Sequence, residues 1–364
     1  MRAAVLRPEP GPDGPLFEVV EHPEPTPGPG QALLAVEACG ICGSDLGAVA
    51  HTEEFLGAAR DSGAHGFLFD PTRPLVLGHE FSARVLEYGP QAAGPDPGAL
   101  VVALPWALDA AGRVRTVGYS NEFPGGFGER LVVQAAALLP VPAGLDPAAA
   151  ALTEPLAVGF GNIARSVAGP GTPAAVLGCG PVGLGAVAAL RERGAEPVVA
   201  SDPSALRRAA ALALGAHTVL DPREADPIET CRALAGRAAA DRPMTVVNCV
   251  GEPGLLGRLL ETVPRGSEIL QIGAVTGEDV IRPVIGIHKD VTIRMCLTYP
   301  PAEFGATLTR LAEGRIDPAP LLTGQAGLGG LDAAFASLRR PEEHVKVLIR
   351  PDSPETSLRP VRRG

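Results

Sequence analysis

The chain has 364 residues, 46% hydrophobic and 20% charged, with 45 Gly and 38 Pro; that length exceeds what one core usually supports, so two globular, turn-rich domains are expected. A net charge of -10 argues against a nucleic-acid binder, which carries a basic face to meet phosphates. No apolar run reaches the ~20 residues of a membrane span or builds a signal-peptide core after Met1, so a soluble, cytoplasmic protein without nucleic-acid or membrane partners is expected.

In chain order, the first ~150 residues carry short apolar runs parted by Gly and Pro, among them Ala32–Val36, Ala83–Glu87 and Leu100–Leu104. This texture predicts a β-rich, barrel-like unit. From Ala174 the pattern changes to strands at Ala174–Leu177, Pro197–Ala200, Thr218–Leu220, Thr245–Asn248 and Glu268–Ile272, alternating with helical stretches such as Pro203–Leu214. Such alternation predicts a parallel sheet covered on both faces. Asp290–Cys296 reads as one more strand, Pro301–Glu313 as an amphipathic helix and Val345–Ile349 as a final strand. The last elements are expected to return to the first unit, giving 1–156 and 298–364 around an insert at 157–297. The basic tail Arg359 to Arg363 reads as a solvated terminus.

Gly178-Cys179-Gly180-Pro181-Val182-Gly183 is a G-x-G-x-x-G placed after the strand Ala174–Leu177 and before a helical run from Leu184 to Arg193. The six-residue pattern is weak in a glycine-rich chain, and the strand–turn–helix context is what gives it meaning. It lets one glycine turn the chain, one admit a pyrophosphate and one seat helix on strand, with phosphate at the helix N-terminus. Asp202 ends the next strand and has two readings: a carboxylate for the ribose hydroxyls of NAD, or the N-cap of the helix that follows. Arg207 and Arg208 lie within that helix and would soften a preference for NAD over NADP. Val250, Ile272 and Gly273 follow later strands and are candidates to border the cofactor.

Cys42, within Cys39-Gly40-Ile41-Cys42-Gly43-Ser44-Asp45, and His79 and Glu80, within Leu77-Gly78-His79-Glu80, offer a thiolate, an imidazole and a carboxylate. Six cysteines are too sparse for a disulfide framework, and no second Cys pair completes a four-sulfur site. An open three-ligand set is what catalytic zinc requires.

These motifs, with Pro124-Gly125-Gly126-Phe127-Gly128-Glu129 and Glu154-Pro155-Leu156-Ala157-Val158, resemble in order and spacing the zinc-containing medium-chain dehydrogenases, closest to their sorbitol, threonine and glucose branch. The resemblance implies an α/β fold: a GroES-like β-rich catalytic domain plus a Rossmann doubly wound parallel sheet, with zinc at the cleft between them. It implies Cys42, His79 and Glu80 as zinc ligands, Glu154 as a carboxylate that binds the metal or holds its water, Asp45 behind the ligands, and Cys39 as a non-ligand. Ser44 matches the hydroxyl that takes the alcohol proton; as a bare residue it equally reads as the cap of a helix beginning near Asp45.

Two departures bear on chemistry. The stretch Pro105 to Pro124, where many relatives bind a structural zinc through four cysteines, has none, so one catalytic zinc and no structural zinc is expected. Gly47 stands where many relatives carry a relay histidine, and His51 reads either as its substitute or as an idle loop residue. The segment between Cys42 and His79 is longer than usual and contains Phe55, Phe67 and Phe69, as a pocket wall or as a surface or subunit contact. Trp106, Tyr119 and Asn121 are further candidates to line the pocket.

The expected activity is hydride transfer between NAD and a secondary alcohol or polyol, or its ketone, by a homodimer or homotetramer. Competing readings are an epimerase or lyase that retains NAD in an internal redox cycle, a retired zinc-binding scaffold, and an enoyl reductase.

Overall fold

The computed structural model describes residues 1–7, 16–236, 241–275, 277–340 and 342–361. The chain divides into two units, Met1–Glu154 with Leu308–Arg340 and Lys346–Gly364, and Pro155–Thr307 with Pro341–Val345. No helix among the described residues is long and apolar enough to cross a membrane.

The first unit is β-rich. Its strands are β1 (Arg2–Leu6), β2 (Phe17–Glu21), β3 (Gln31–Gly40), β4 (Glu80–Tyr88), β5 (Leu100–Ala103), β6 (Trp106–Leu108), β7 (Val114–Thr116), β8 (Arg130–Gln134) and β9 (Leu138–Pro140). Helices α1 (Gly43–Ala50) and α2 (Thr52–Asp61) fill the long segment before β4, and α3 (Pro147–Ala151) and α4 (Thr153–Ala164) follow β9. β3 is buried almost throughout because both of its edges are paired. β4 runs antiparallel along it, while β8 covers Gln31–Ala35 on the other edge and the late strand β17 (Lys346–Ile349) covers Cys39 and Gly40. That two-part partnership brings the chain's last strand to the end of β3 that leads into Cys42. Phe17, Phe127 and Phe335 meet edge-on in the core beneath, with centroids 4.8 to 6.4 Å apart.

The second unit carries β10 (Ala174–Leu177), α5 (Pro181–Glu192), β11 (Val198–Ser201), α6 (Ala205–Ala213), β12 (Thr218–Leu220), α7 (Pro227–Ala235), β13 (Thr245–Asn248), α8 (Leu255–Thr262), β14 (Glu268–Gln271), α9 (Pro283–Lys289) and β15 (Thr292–Met295). All six strands are parallel, in the order β12-β11-β10-β13-β14-β15. This is the 3-2-1-4-5-6 order of a doubly wound Rossmann sheet, in which the order of strand addition reverses between β10 and β13. Both expected layers, the GroES-like β unit and the Rossmann sheet, are therefore present.

α10 (Pro301–Ala312) straddles the boundary of the two units, and β16 (Leu322–Ala326), α11 (Leu331–Leu338) and β17 return to the first. Two alternative readings are closed and one expectation is corrected. α6 begins at Ala205 with Ser204 as its N-cap, so Asp202 is not the cap. α1 begins at Gly43 with Cys42 at the cap position, which puts Ser44 inside the first turn. The tail is not wholly solvated: Arg359 exchanges backbone hydrogen bonds with Gln325 and pairs with Glu355, while Arg362 and Arg363 lie outside the described residues.

Candidate metal centre and nucleotide site

Strand register builds the first site. Gly40 at the end of β3 pairs with Glu80 at the start of β4, and β17 joins the same end through Leu348 opposite Gly40. Cys42 lies just past β3 and His79 just before β4, so two strand ends supply three donors. The Cys42 sulfur, a His79 ring nitrogen and a Glu80 oxygen all lie within 4.8 Å of one another. Gly78 makes the approach possible: its φ is +98°, and a Cβ there would sit 2.8 Å from Phe127 and 2.9 Å from the Cys39 sulfur.

The surroundings are buried and charged. Glu80 Oε2 accepts from Lys346 Nζ at 2.5 Å, and the same ammonium donates to Ile41 O at 2.8 Å. Glu80 Oε1 is buried with no hydrogen-bond partner. Asp45, fully buried, accepts from the Cys42 N–H through Oδ2 at 2.9 Å and faces His79 Nδ1 through Oδ1 at 3.5 Å. Burial pushes the imidazolium of His79 down, but Asp45 and Cys42 more than offset it, holding its pKa well above the usual value. Burial pushes the Cys42 thiol up, and the charge of Glu80 adds to it, against His79. Without a cation the cluster therefore favours protons on sulfur and imidazole, and a divalent metal would compete for the same lone pairs. A thiolate, an imidazole and a carboxylate with one orphaned buried oxygen suit zinc.

Lys346 escaped sequence reading. A lysine opening an otherwise apolar strand is its only local signal, and its partner is 266 positions away. Cys39 is buried behind the site, its thiol donating to Gly40 O, and burial raises its pKa first and foremost. Glu154, half-buried in the first turn of α4, is outside the three-donor cluster. Ser44 and Tyr119 lie 2.8 Å apart, oxygen to oxygen. His51 is exposed, and its backbone does the local bonding: its N–H closes α1 on Gly47 O and its carbonyl accepts from Phe55 N. Asn121 ties Asp70 and Pro74 through hydrogen bonds. Phe55, Phe67 and Phe69 cluster, and the first two pack on Tyr119, which lies against His79.

In the second unit the glycine motif turns between β10 and α5. Gly178 has φ +85°, and its Cβ would reach Val250 at 3.0 Å. Gly183 is closed to any side chain, since a Cβ would lie 1.9 Å from Gly178 O, whereas a Cβ on Gly180 would meet nothing within 4 Å. The open position is the N-cap of α5, with Pro181 at the first helical residue, where unpaired N–H groups can face an anion. Past β13 and β14 the backbones of Val250 and Gly273 touch, a Cβ on Gly273 falling 2.4 Å from Val250 C. Gly178, Val250 and Gly273 thus share the carboxyl edge of the sheet, with Ile272 leading into the last of them.

Asp202 accepts from the N–H of Cys179 at 2.8 Å and of Ser204 at 2.8 Å, fastening the end of β11 to the glycine loop. Arg208 is committed to Asp202 O, Pro203 O and Asp221. Arg207 donates to His344 O at 3.4 Å, and its Nε is buried without a partner.

Comparison with known proteins agrees with both units. Residues 28–143 match the alcohol dehydrogenase GroES-like domain, and residues 181–313 match the zinc-binding dehydrogenase domain. The chain is 30% identical over 353 residues to (R,R)-butanediol dehydrogenase of Bacillus subtilis, covering 92% of this chain and 96% of that protein. It is 28% identical over 311 residues to L-galactonate-5-dehydrogenase of Escherichia coli, covering 82% and 85%. The solved structure of 2R,3R-butanediol dehydrogenase from Bacillus subtilis superposes with a TM-score of 0.79 at 26% identity, covering 96% of this chain and 99% of that one.

Proposed function

Because the chain belongs to the zinc-containing medium-chain alcohol dehydrogenases, we propose that it holds one catalytic zinc through Cys42, His79 and Glu80 and transfers hydride between NAD and a secondary alcohol or polyol, or the matching ketone. The observation that carries this reading is the convergence of the three donors on two paired strand ends, with Glu80 Oε1 buried and unsatisfied. Cys42, His79 and Glu80 would hold the zinc, which would supply a Lewis acid that lowers the pKa of an alcohol hydroxyl toward neutrality. Asp45 orients His79 from behind and Lys346 orients Glu80. Ser44 accepts a hydrogen bond from the substrate hydroxyl, and Glu154 is the family's further carboxylate.

Gly178, Gly180, Pro181, Val182 and Gly183 hold the pyrophosphate, with Val250, Ile272 and Gly273 beside it, and Asp202 takes the ribose hydroxyls. A carboxylate at the end of β11 repels a 2′-phosphate, which supports NAD over NADP, and Arg207 lies next to it on α6. The aromatic cluster of Phe55 and Phe67 beside Tyr119 supports an apolar wall for the substrate. The free edge of β15 with exposed Ile287, Met295 and Leu297 supports pairing with a second copy into a homodimer or homotetramer. Six free thiols fit a reducing, cytoplasmic setting.

The test is metal analysis followed by nucleotide absorbance with a panel of secondary alcohols, polyols and ketones. One zinc per chain with NADH formation is expected. Zinc with bound nucleotide and no net NADH would replace the reading with an internal redox cycle, and absence of zinc would overturn it.

A further inference from the structure

Tyr119 joins Ser44 to Asp45. The tyrosine is 1% exposed, and its Oη lies 2.8 Å from Ser44 Oγ and 3.0 Å from Asp45 Oδ1. Its ring is clamped, stacked on Phe55 at 5.4 Å between centroids and packed on Phe67 at 5.6 Å and His79 at 5.3 Å. A phenol has one hydrogen, and a carboxylate only accepts. Asp45 Oδ1 has no hydrogen to offer, and two oxygens 3.0 Å apart with none between them would repel, so the phenolic hydrogen belongs to that contact. The Tyr119 oxygen is then left as an acceptor, and Ser44 must turn its own hydrogen inward to it. Ser44 is exposed, so the consequence is directional: its lone pairs face outward, where they can accept a hydrogen bond.

No other side chain of α1 holds Ser44 this way among the described residues. Gly47 has none, and His51 is exposed without a hydrogen bond to Ser44. We propose that Tyr119 is a positioning residue for the hydride-transfer reaction, fixing the Ser44 hydroxyl as the hydrogen-bond acceptor of the substrate O–H through the chain Ser44–Tyr119–Asp45. The proposal rests on the dehydrogenase reading of the site and adds to it a residue outside the ligand set.

Tyr119→Phe keeps the ring clamp and deletes only the oxygen. Zinc content, steady-state kinetics with a secondary alcohol, and ¹⁹F NMR of 3-fluorotyrosine-labelled protein are measured, the signals of Tyr88, Tyr119 and Tyr299 being assigned by single Phe variants. Expected are full zinc content, kcat lowered by about tenfold with KM within about twofold, and no further loss when Tyr119→Phe is added to Ser44→Ala. Ser44→Ala alone is expected to shift the Tyr119 fluorine signal and leave the other two in place. Losses that multiply in the double variant, a raised KM at unchanged kcat, or an unmoved fluorine signal would overturn the proposal. Fluorine coupling without any turnover in the parent protein would instead overturn the dehydrogenase reading on which it rests.

Discussion

Lys346 and Glu80 form an ion pair at 2.5 Å whose side chains are 3% and 1% exposed, joining the last strand of the chain to the start of β4. Breaking such a pair from one side strands the other charge in the interior, at a cost of about 3–5 kcal/mol. Lys346→Met is therefore expected to lower stability by that order in denaturant unfolding, and adding Glu80→Gln is expected to recover part of the loss. Burial pushes the Lys346 ammonium down, but Glu80 outweighs it and its pKa is raised overall. A raised lysine stabilises fully below the pKa of a free lysine and loses its contribution only as pH climbs through the folded value, so the pair should hold across neutral pH and fail in alkali.

Legibility in the sequence tracked the range of the interactions. Ala174–Leu177 and Thr245–Asn248 are bounded correctly because a parallel strand buried on both faces has an apolar centre with no polar face. The cluster of Cys42, His79 and Glu80 was legible from motif order. What pins that cluster was not: Lys346 meets Glu80 through the pairing of β17 with β3, and no local pattern announces a contact across 266 positions. The cap alternatives for Ser44 and Asp202 fall away for a related reason, since Cys42 and Ser204 occupy those positions and the capping preference alone cannot choose between neighbours.

Gly180 and Gly183 should separate binding from folding. Alanine at Gly183 drives a Cβ to 1.9 Å from Gly178 O and must displace the loop or the helix, so the melting temperature of Gly183→Ala is expected to fall. Alanine at Gly180 meets nothing within 4 Å and its backbone, φ -68°, is ordinary. Gly180→Ala is expected to melt like the parent while nucleotide affinity, read by titration calorimetry, drops about tenfold or more, because the methyl group occupies the space a phosphate needs.

Asp109 is expected to make the β6–β7 hairpin acid-sensitive. Its carboxylate accepts from the N–H groups of Ala111 and Arg113 and from the guanidinium groups of Arg113 and Arg115. Those bonds, led by the Arg113 N–H, pull its pKa down to about 2. A depressed carboxylate contributes stability above the unfolded value, ~3.9, that drains away as pH falls through the folded one. Acid titration followed by hydrogen exchange of the hairpin is expected to show loosening between about pH 4 and 2, and Asp109→Asn is expected to be looser at neutral pH with a flatter acid response.

Cys39 and Cys42 are three positions apart, yet only one sulfur belongs to the three-donor cluster. The Cys39 sulfur is walled in by Gly78 and Gly126, where added Cβ atoms would come to 2.9 and 2.6 Å, and its thiol is spent on Gly40 O. Removing it leaves a small buried gap, so Cys39→Ala is expected to lose stability while keeping zinc at the parent stoichiometry. Removing Cys42 deletes the softest donor of the site, and Cys42→Ala is expected to lose most of the metal during dialysis while its far-ultraviolet dichroism stays that of the parent. Metal content that followed Cys39 instead would place the thiolate ligand on the wrong side of Gly40 and dismantle the register argument that joins β3 to β4.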